Sequence, residues 1–226
     1  SPGINAVGTF RSNYNSSRFP HKSEHHFFLS DALDFDQVEV LFKRLQPSVV
    51  INCISLSKDI LHNGDPLELI PTYSLLPHVL ASLCHRFAAR FIQISSDGVF
   101  SGAKGNYSEK DTPDSTDLYG RAKLLGEIVG PGCLTLRTSM IGHDPKLKNG
   151  LVSWFLNQKG TCLGYPEAIF SGFPVTVLAR IIRDHVLTNP KLEGLYNIAA
   201  TPISKFDLLH LISDIYDAGV TIIPDN

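Results

Sequence analysis

The sequence predicts an open, doubly wound α/β sheet, and three observations support this fold class. Short apolar segments rich in β-branched residues alternate with longer segments in which apolar residues recur every three or four positions. The short segments are apolar on both faces, which is typical of parallel strands covered by helices on each side. The 226 residues, 43% of them hydrophobic, suffice for one such domain and a small second lobe.

Five segments are predicted as strands because each is short, apolar and rich in β-branched residues. In chain order they are Ile4–Phe10, Ser48–Cys53, Arg90–Ser95, Cys133–Arg137 and Leu195–Ala199. Ligands of doubly wound sheets bind beyond the carboxyl ends of the strands. The residues that directly follow the second, third and fourth strands are therefore the first candidates for chemistry.

Five helices are predicted between and after these strands from the helical spacing of apolar residues. They cover Phe35–Leu45, about Tyr73–Phe87, Leu118–Val129, Val175–Leu187 and Phe206–Tyr216. Ser204 precedes the last helix, and Asp207 follows three residues later. This pattern predicts Ser204 as the N-cap.

Two stretches interrupt the alternation of strands and helices. Residues 13–26 are polar and are expected to form a surface excursion, and the histidines there lack the spacing of a metal-binding helix. We therefore predict no metal. Residues 142–172 surround one apolar helical motif, Leu151–Leu156, with proline, glycine and lysine. We interpret them as a lid or a small lobe.

Charge and cysteine usage disfavour several classes of protein. The 20 basic and 22 acidic residues give a net charge of −2 without a basic block, which disfavours binding to nucleic acids or anionic membranes. The four cysteines are widely spaced without a C-x-x-C pair, and we interpret them as buried thiols in a reducing compartment. No apolar stretch approaches a membrane-spanning length and no signal pattern is present, so we expect a cytoplasmic protein.

The residues that close the third strand and open the next helix carry the strongest chemical pattern. Ser95 and Ser96 place hydroxyls at a strand end, where they could hydrogen-bond a carbonyl being reduced or an alcohol being oxidised. Tyr119 and Lys123 are four residues apart and share one helix face. We expect the nearby ammonium to lower the pKa of the phenol, as a proton-transfer catalyst requires. Alone, such a pair also occurs as solvated residues on amphipathic helices.

The ordered set of motifs makes this pattern specific. It comprises S-S-D, G-V-F, Tyr107-Ser-Glu109, Pro113, Tyr119-Gly, Lys123 and Gly126-Glu127. This set resembles the extended short-chain dehydrogenase/reductases and, within them, the dTDP-4-dehydrorhamnose reductase-like sugar-nucleotide reductases. The resemblance implies a Rossmann-like NAD(P)-binding domain over residues 1–141, with a contribution from 173–200. It assigns residues 142–172 and 201–226 to a substrate-binding lobe.

The resemblance also implies roles for individual residues. Tyr119 would protonate the sugar keto oxygen, Lys123 would lower the pKa of Tyr119 and bind the nicotinamide ribose, and Ser96 would polarise the same oxygen. The implied substrate-binding residues are Ser96, Asp97, Gly98, Val99, Phe100 and Thr138. Gly98 stands where the family commonly has tyrosine, which puts that contact in doubt.

The implied cofactor is NADP, with NAD as the alternative. The cofactor-binding residues would be Arg11, Asp31, Ala32, Asn52, Cys53, Ile54, Ser95, Tyr119 and Lys123. Arg11 resembles arginines that receive the 2′-phosphate of NADP, whereas its simpler interpretation is a solvated charge at a strand end. Tyr73 stands where the family has a helix asparagine. The implied partner is a nucleotide sugar, and a homodimer is compatible with the resemblance.

A G-x-x-G-x-x-G turn, which cradles the pyrophosphate in this family, is absent from the printed sequence. We expect the first βα unit, about 25 residues long, either to precede Ser1 in the natural protein or to have been lost. The end of the chain also looks short beside the family.

Three functions fit these observations. The leading one is reduction of a keto group on a nucleotide-activated deoxysugar, in the pathway to a surface polysaccharide. The second is a non-catalytic, cofactor-binding regulatory subunit similar to the beta subunit of methionine adenosyltransferase, which the departures at Gly98, Tyr73 and Ser55–Leu56 favour. The third is an NAD-dependent epimerase or dehydratase, for which S-S-D-G offers only one carboxylate beside the serine.

Overall fold

The fold is an α/β sheet with helices on both faces and a smaller lobe beside it. The computed structural model describes residues 4–10, 26–29, 31–56, 64–143 and 150–225. The strands are β1 (Gly8–Phe10), β2 (His26–Phe28), β3 (Val49–Asn52), β4 (Arg90–Ser95), β5 (Cys133–Arg137), β6 (Met140–Ile141), β7 (Thr161–Gly164), β8 (Ile169–Phe170), β9 (Phe173–Pro174), β10 (Gly194–Asn197), β11 (Ile203–Ser204) and β12 (Thr221–Pro224). The α-helices are α1 (Phe35–Leu45), α2 (Pro66–Leu69), α3 (Leu76–Arg86), α4 (Leu118–Leu125), α5 (Leu151–Leu156), α6 (Val175–Ile181) and α7 (Lys205–Tyr216).

A four-stranded parallel sheet lies at the centre, in the order β10-β5-β4-β3. A separate parallel pair is formed by β1 and β2. Parallel strands need crossover connections, and within the four-stranded sheet the described helices between the strands supply them. The predicted doubly wound fold is confirmed.

Alternating residues of β4 pack into two different hydrophobic clusters, because successive side chains of a strand point to opposite faces of the sheet. Phe91 packs with Val38 and Phe42 of α1 and with Leu80 of α3. Its neighbour Ile92 packs on the other face, in a cluster with Leu134, Leu136 and Val186. Complete burial of a side chain such as Phe91 stabilises the fold by about 1.5–3 kcal/mol relative to its exposure. Both faces of the sheet are thereby covered.

A π-helix, Ile70–Leu75, joins α2 to α3. Proline has no backbone N–H, so Pro71 and Pro77 cannot donate the usual hydrogen bonds to the carbonyls four residues earlier. The widened turn here closes with a bond from Leu76 N to the Pro71 carbonyl, five residues apart. A second π-helix, Ile182–Val186, continues α6.

The continuous helical segment Pro66–Arg86 has 21 residues and a mean hydropathy of 1.2, so by length and composition it could cross a membrane. This corrects the expectation that no segment approaches that length. Half of its apolar window is buried inside the fold. Leu76 and Leu83 are among its buried residues and pack in the core beside the sheet, as in the core helix of an α/β protein.

The smaller lobe has its own apolar cluster. Val152 and Phe155 of α5 pack against Leu209 and Ile212 of α7 and against Ile222 of β12. Three two-stranded pairings accompany it: β12 with β7, β11 with β8, and β6 with β9. The cluster combines residues from both of the chain segments that were predicted to form the lobe.

Several predicted boundaries agree with the structure, and the differences have simple causes. The bounds of α1, β4, β5 and α5 are those predicted. The Ser204 hydroxyl accepts a hydrogen bond from Asp207 N at 2.9 Å, which confirms the predicted N-cap. Strand β2 was not predicted, because its histidine and the polar residues before it interrupt the apolar run by which strands were identified. Of the first predicted strand, only its last three residues form β1, and residues 11–25 lie outside the described ranges.

Candidate active site

Helix α4 is docked on the carboxyl edge of the sheet through two glycines. A Cβ at Gly120 would lie 2.2 Å from the carbonyl oxygen of Gly98, and a Cβ at Gly126 would lie 1.8 Å from the carbonyl oxygen of Tyr73. Both contacts are too short for any residue with a side chain. The Asp117 carboxylate caps the helix by accepting a hydrogen bond from Gly120 N at 2.8 Å. The side chains of α4 are therefore held at fixed positions above the strand ends.

Tyr119 and Ser96 meet at this edge. Burial raises the pKa of Tyr119, and a hydrogen bond with Ser96 partly opposes that rise. The Ser96 hydroxyl in turn accepts a hydrogen bond from Gly98 N at 3.0 Å. A Cβ at Gly98 would lie only 3.2 Å from both the Ser96 hydroxyl oxygen and the Tyr119 ring. Gly98 thus lets the turn pass close beside both side chains.

Lys123 is buried below them, with its side chain against two neighbours. Its ammonium donates a hydrogen bond to the Ile94 carbonyl at 3.1 Å. It also lies 4.7 Å from the centre of the Tyr73 ring. Burial lowers the pKa of Lys123 to about 8, while Cys53 and Glu127 act in the opposite direction. The Lys123 side chain is therefore mostly protonated at neutral pH.

The expectation that Lys123 lowers the pKa of Tyr119 is wrong for this structure. Burial comes first among the causes that act on the phenol, and it raises the pKa. The Lys123 ammonium instead contacts Ile94 and Tyr73. A spacing of four residues places Tyr119 and Lys123 on one helix face, but here the Lys123 ammonium lies against the ring of a third residue, Tyr73.

Tyr73 was identified from sequence only as a departure from a family pattern, without a role. Its side chain is 2% exposed, and its ring meets that of Tyr119 edge to face at 5.4 Å. The phenol oxygen accepts a hydrogen bond from Leu56 N at 2.8 Å and lies 3.1 Å from the Ser55 hydroxyl. The signal that could have revealed it is an aromatic residue between two prolines in an apolar helix.

A buried ion pair supports the strand ends below the site. Arg137 donates two hydrogen bonds of 2.8 Å to Glu127. The Ser95 hydroxyl donates to the same carboxylate at 2.8 Å. This bond uses the hydroxyl proton of Ser95, which was predicted to contact the cofactor. Ser95 is better explained as a link between β4 and the ion pair.

The other predicted cofactor residues lie at or just after the end of β3, or shortly before α1. Asn52 is buried and uses its amide within the fold, donating to Gln93 at 2.9 Å and accepting from Ile54 N at 3.2 Å. Cys53 was expected to be a buried thiol, but the residue is exposed, although burial around its sulfur raises the pKa of the thiol. Asp31 accepts a hydrogen bond from Leu33 N at 2.9 Å. Ala32 is partly buried against the core. Arg11 lies outside the described residues.

The predicted substrate-binding residues separate into two groups. Asp97 is exposed beside the site and accepts a hydrogen bond from Ser139 at 2.5 Å. Phe100 is half-buried and stacks on Tyr107 at 4.2 Å. In contrast, Val99 is fully buried and has no surface left for a substrate. Thr138 is also buried and donates to the Ser139 carbonyl at 3.2 Å.

The structure therefore brings together a protonated phenol, a serine hydroxyl and a buried ammonium at one sheet edge. Such a set can donate hydrogen bonds to a carbonyl oxygen and supply a proton to it. The ammonium also suits the hydroxyls of a nucleotide ribose, so the described residues fit the nicotinamide end of a dinucleotide. Within the described ranges, no group of three His, Cys, Asp or Glu residues could hold a metal.

Comparison with known proteins gives consistent matches. The sequence model of the RmlD substrate binding domain matches residues 19–159. The chain is 28% identical to methionine adenosyltransferase 2 subunit beta of Danio rerio, over 84% of this chain and 63% of that protein. It is also 28% identical to the probable low-salt glycan biosynthesis reductase Agl14 of Haloferax volcanii, over 78% of this chain and 56% of that protein. The chain thus spans less than two thirds of either relative.

Two solved structures show the same fold. A hypothetical dTDP-4-dehydrorhamnose reductase from Sulfolobus tokodaii aligns with a TM-score of 0.80 and 24% identity, covering 99% of this chain and 79% of that one. A dTDP-4-dehydrorhamnose reductase from Bacillus anthracis, in complex with NADP, aligns with a TM-score of 0.78 and 20% identity, covering 97% and 83%.

Proposed function

The chain belongs to the RmlD substrate binding domain family, and from this premise we propose that it is an NAD(P)-dependent reductase of a nucleotide-activated sugar. The reaction would reduce a keto group of a deoxysugar. The observation that carries this proposal is that Tyr119 and Ser96 share a hydrogen bond at the carboxyl edge of the sheet, while the Lys123 ammonium binds the Ile94 carbonyl near the same edge. Ligands of this fold class bind at that edge.

Each of the three residues has one task in the proposed reaction. The bound nicotinamide supplies the hydride. Tyr119 gives its proton to the sugar oxygen, and the raised pKa of its phenol keeps that proton in place at neutral pH until a charge develops on the oxygen. Ser96 donates a second hydrogen bond to the same oxygen. Lys123 holds the nicotinamide ribose through N–H groups that the Ile94 carbonyl does not use.

The finer features are proposed from the relatives. NADP is proposed, with NAD as the alternative, because structurally similar proteins were solved with NADP and with NAD. A role in surface-polysaccharide synthesis is favoured by the likeness to a glycan biosynthesis reductase. We further propose that residues 1–141 and 173–200 bind the cofactor, that residues 142–172 and 201–226 bind the sugar nucleotide, and that the protein acts in the cytoplasm.

The test is cofactor oxidation by the protein expressed from its complete coding sequence. NADPH absorbance is followed with a 4-keto-6-deoxy sugar nucleotide as the acceptor. Tyr119→Phe should lower kcat by about 10²–10⁴-fold, the usual contribution of a general acid, with little change in the Kd for NADPH. Tyr107→Phe is the matched control, because it removes a phenol from the stacked pair with Phe100. Equal rates for wild type and Tyr119→Phe would refute the assignment.

A non-catalytic regulatory subunit is the second candidate. It is favoured by the match to methionine adenosyltransferase 2 subunit beta over 84% of this chain. It is also favoured by two departures from the family pattern, Gly98 in place of tyrosine and Tyr73 in place of a helix asparagine. This candidate predicts cofactor binding without turnover and stable co-purification with a methionine adenosyltransferase catalytic subunit. Turnover that Tyr119→Phe abolishes would exclude it.

A further inference from the structure

We propose that Tyr73 is a positioning residue that joins the segment after β3 to the helix carrying Tyr119 and Lys123. This inference rests on the proposed function for its kinetic consequences, whereas its structural consequences stand alone. Three parts of Tyr73 make three separate contacts, and each reaches a different part of the site.

The phenol oxygen of Tyr73 holds the segment that follows β3. It accepts the Leu56 N–H at 2.8 Å and lies 3.1 Å from the Ser55 hydroxyl. A phenol oxygen that accepts a hydrogen bond from a backbone N–H can still donate its own O–H in a hydrogen bond to a nearby hydroxyl. The first bond holds the backbone at Leu56 and the second holds the Ser55 side chain, at the strand end where the proposed cofactor lies.

The ring of Tyr73 holds the catalytic side chains. Its face lies 4.7 Å from the Lys123 ammonium, within the range of a cation–π contact. Its contact with Tyr119 is edge to face, with an interplanar angle of 87° and a centroid distance of 5.4 Å. Because the ring is buried, water does not weaken the attraction to the ammonium. A shift of this ring would move both side chains.

The backbone of Tyr73 fixes the position of the ring. Pro77 has no N–H to donate to the Tyr73 carbonyl, and α4 approaches that carbonyl so closely that only glycine fits at Gly126. One turn before Gly126, the Ala122 carbonyl of α4 accepts a hydrogen bond from the Ser74 hydroxyl at 3.0 Å. The π-helix and α4 are thus locked together beside Tyr73, so the ring has a fixed base.

Two substitutions separate the roles of the phenol and the ring. Tyr73→Phe keeps the ring and removes the oxygen that Leu56 needs. Tyr73→Leu removes both. Tyr107→Phe is the control, since the Tyr107 oxygen also accepts a backbone N–H, from Lys104 at 3.1 Å, but belongs to a different segment.

The first measurement is made on the free protein by NMR. Amide exchange at Leu56 should be on the order of fivefold faster in Tyr73→Phe, as the loss of one hydrogen bond implies, and unchanged in Tyr107→Phe. The ε-methylene protons of Lys123, identified by their loss in Lys123→Met, should be shifted upfield by the ring in wild type and Tyr73→Phe. Unchanged Leu56 exchange in Tyr73→Phe, or a Lys123 signal without the ring shift in wild type, would overturn the inference.

The second measurement separates KM from kcat. Tyr73→Phe should raise the KM for NADPH about threefold to tenfold at nearly constant kcat, because only the segment after β3 is released. Tyr73→Leu should in addition lower kcat by about tenfold or more. Equal kcat values in both variants would overturn the inference. If wild type shows no turnover, the proposed function fails while the NMR results still decide the role of Tyr73. If Tyr73→Leu does not fold, Tyr73→Phe retains the test at Leu56.

Discussion

Two arginine–glutamate pairs in this protein have nearly the same geometry and opposite surroundings. Arg137 and Glu127 form two 2.8 Å hydrogen bonds below the site, with side chains 5% and 6% exposed. Arg86 and Glu39 form two bonds of 3.1 and 3.0 Å on the outer face of α1 and α3, with side chains 54% and 27% exposed. The comparison teaches that burial, rather than bond geometry, decides what each pair contributes.

The buried pair connects several elements at the site. Glu127 follows α4 and accepts the Ser95 hydroxyl at the end of β4. The Arg137 guanidinium lies 5.0 Å from the centre of the Phe100 ring. The exposed pair, in contrast, only joins two helices on a solvated face. Removing one partner therefore leaves a buried charge in the first case and a hydrated charge in the second.

The largest effect is expected from Glu127→Gln. The glutamine side chain keeps the shape and an oxygen that can accept from Ser95, but leaves the Arg137 guanidinium buried without its counterion. Loss of one partner of a buried pair costs about 3–5 kcal/mol. The free energy of unfolding should fall by this amount in urea titrations at pH 7. A loss below about 1 kcal/mol would remove the distinction between the two pairs.

Lys123 extends the comparison, because it is a buried charge with no carboxylate bonded to it among the described contacts. Its pKa is lowered from 10.5 to about 8 in the folded protein. Between these values the unfolded chain binds the proton and the folded protein does not, so stability rises with pH over this window. The charged lysine is thus a cost below pH 8, and this cost is relieved as pH rises toward 10.5.

The measurement compares wild type with Lys123→Met at several pH values. The stability of wild type relative to the variant should increase between pH 8 and 10.5 by roughly 3 kcal/mol, at 1.36 kcal/mol for each unit of pKa difference. Groups that titrate equally in both proteins cancel in the comparison. A pH-independent difference would show that the folded protein holds Lys123 with an ordinary pKa.

The sequence was sufficient to predict the central four-stranded sheet and to select candidate site residues, but not to predict the contacts of those residues. Strands β4 and β5 were predicted because each combines a short apolar run with polar residues at its end. Tyr119, Lys123 and Ser96 could be selected as candidates because their spacing on a helix and their position at a strand end are local features of the sequence. The contact between Tyr73 and Lys123 joins residues fifty positions apart in sequence, and no local spacing encodes it.

The same limit explains the other corrections. Val99 belongs to a motif that resembles a substrate-contacting segment, yet a short 3₁₀ turn over Asp97–Val99 places it in the core. Burial also reverses the expected pKa direction of Tyr119. Helical spacing shows which side chains share a face, whereas desolvation depends on everything packed against that face.

The smallest effect is expected from Glu39→Gln, which tests the exposed side of the comparison. Arg86 and Lys43 hold the pKa of Glu39 at about 2, so any stabilisation is present above the ordinary pKa of 4.5 and disappears as pH falls toward 2. Solvent screens this pair, and Tm at pH 7 and low salt should fall by no more than about 2 °C. In about 1 M salt, where the Debye length is near 3 Å, the difference should shrink further, whereas the loss in Glu127→Gln should persist. A Tm loss in Glu39→Gln as large as that in Glu127→Gln would mean that pair geometry outweighs burial in this fold.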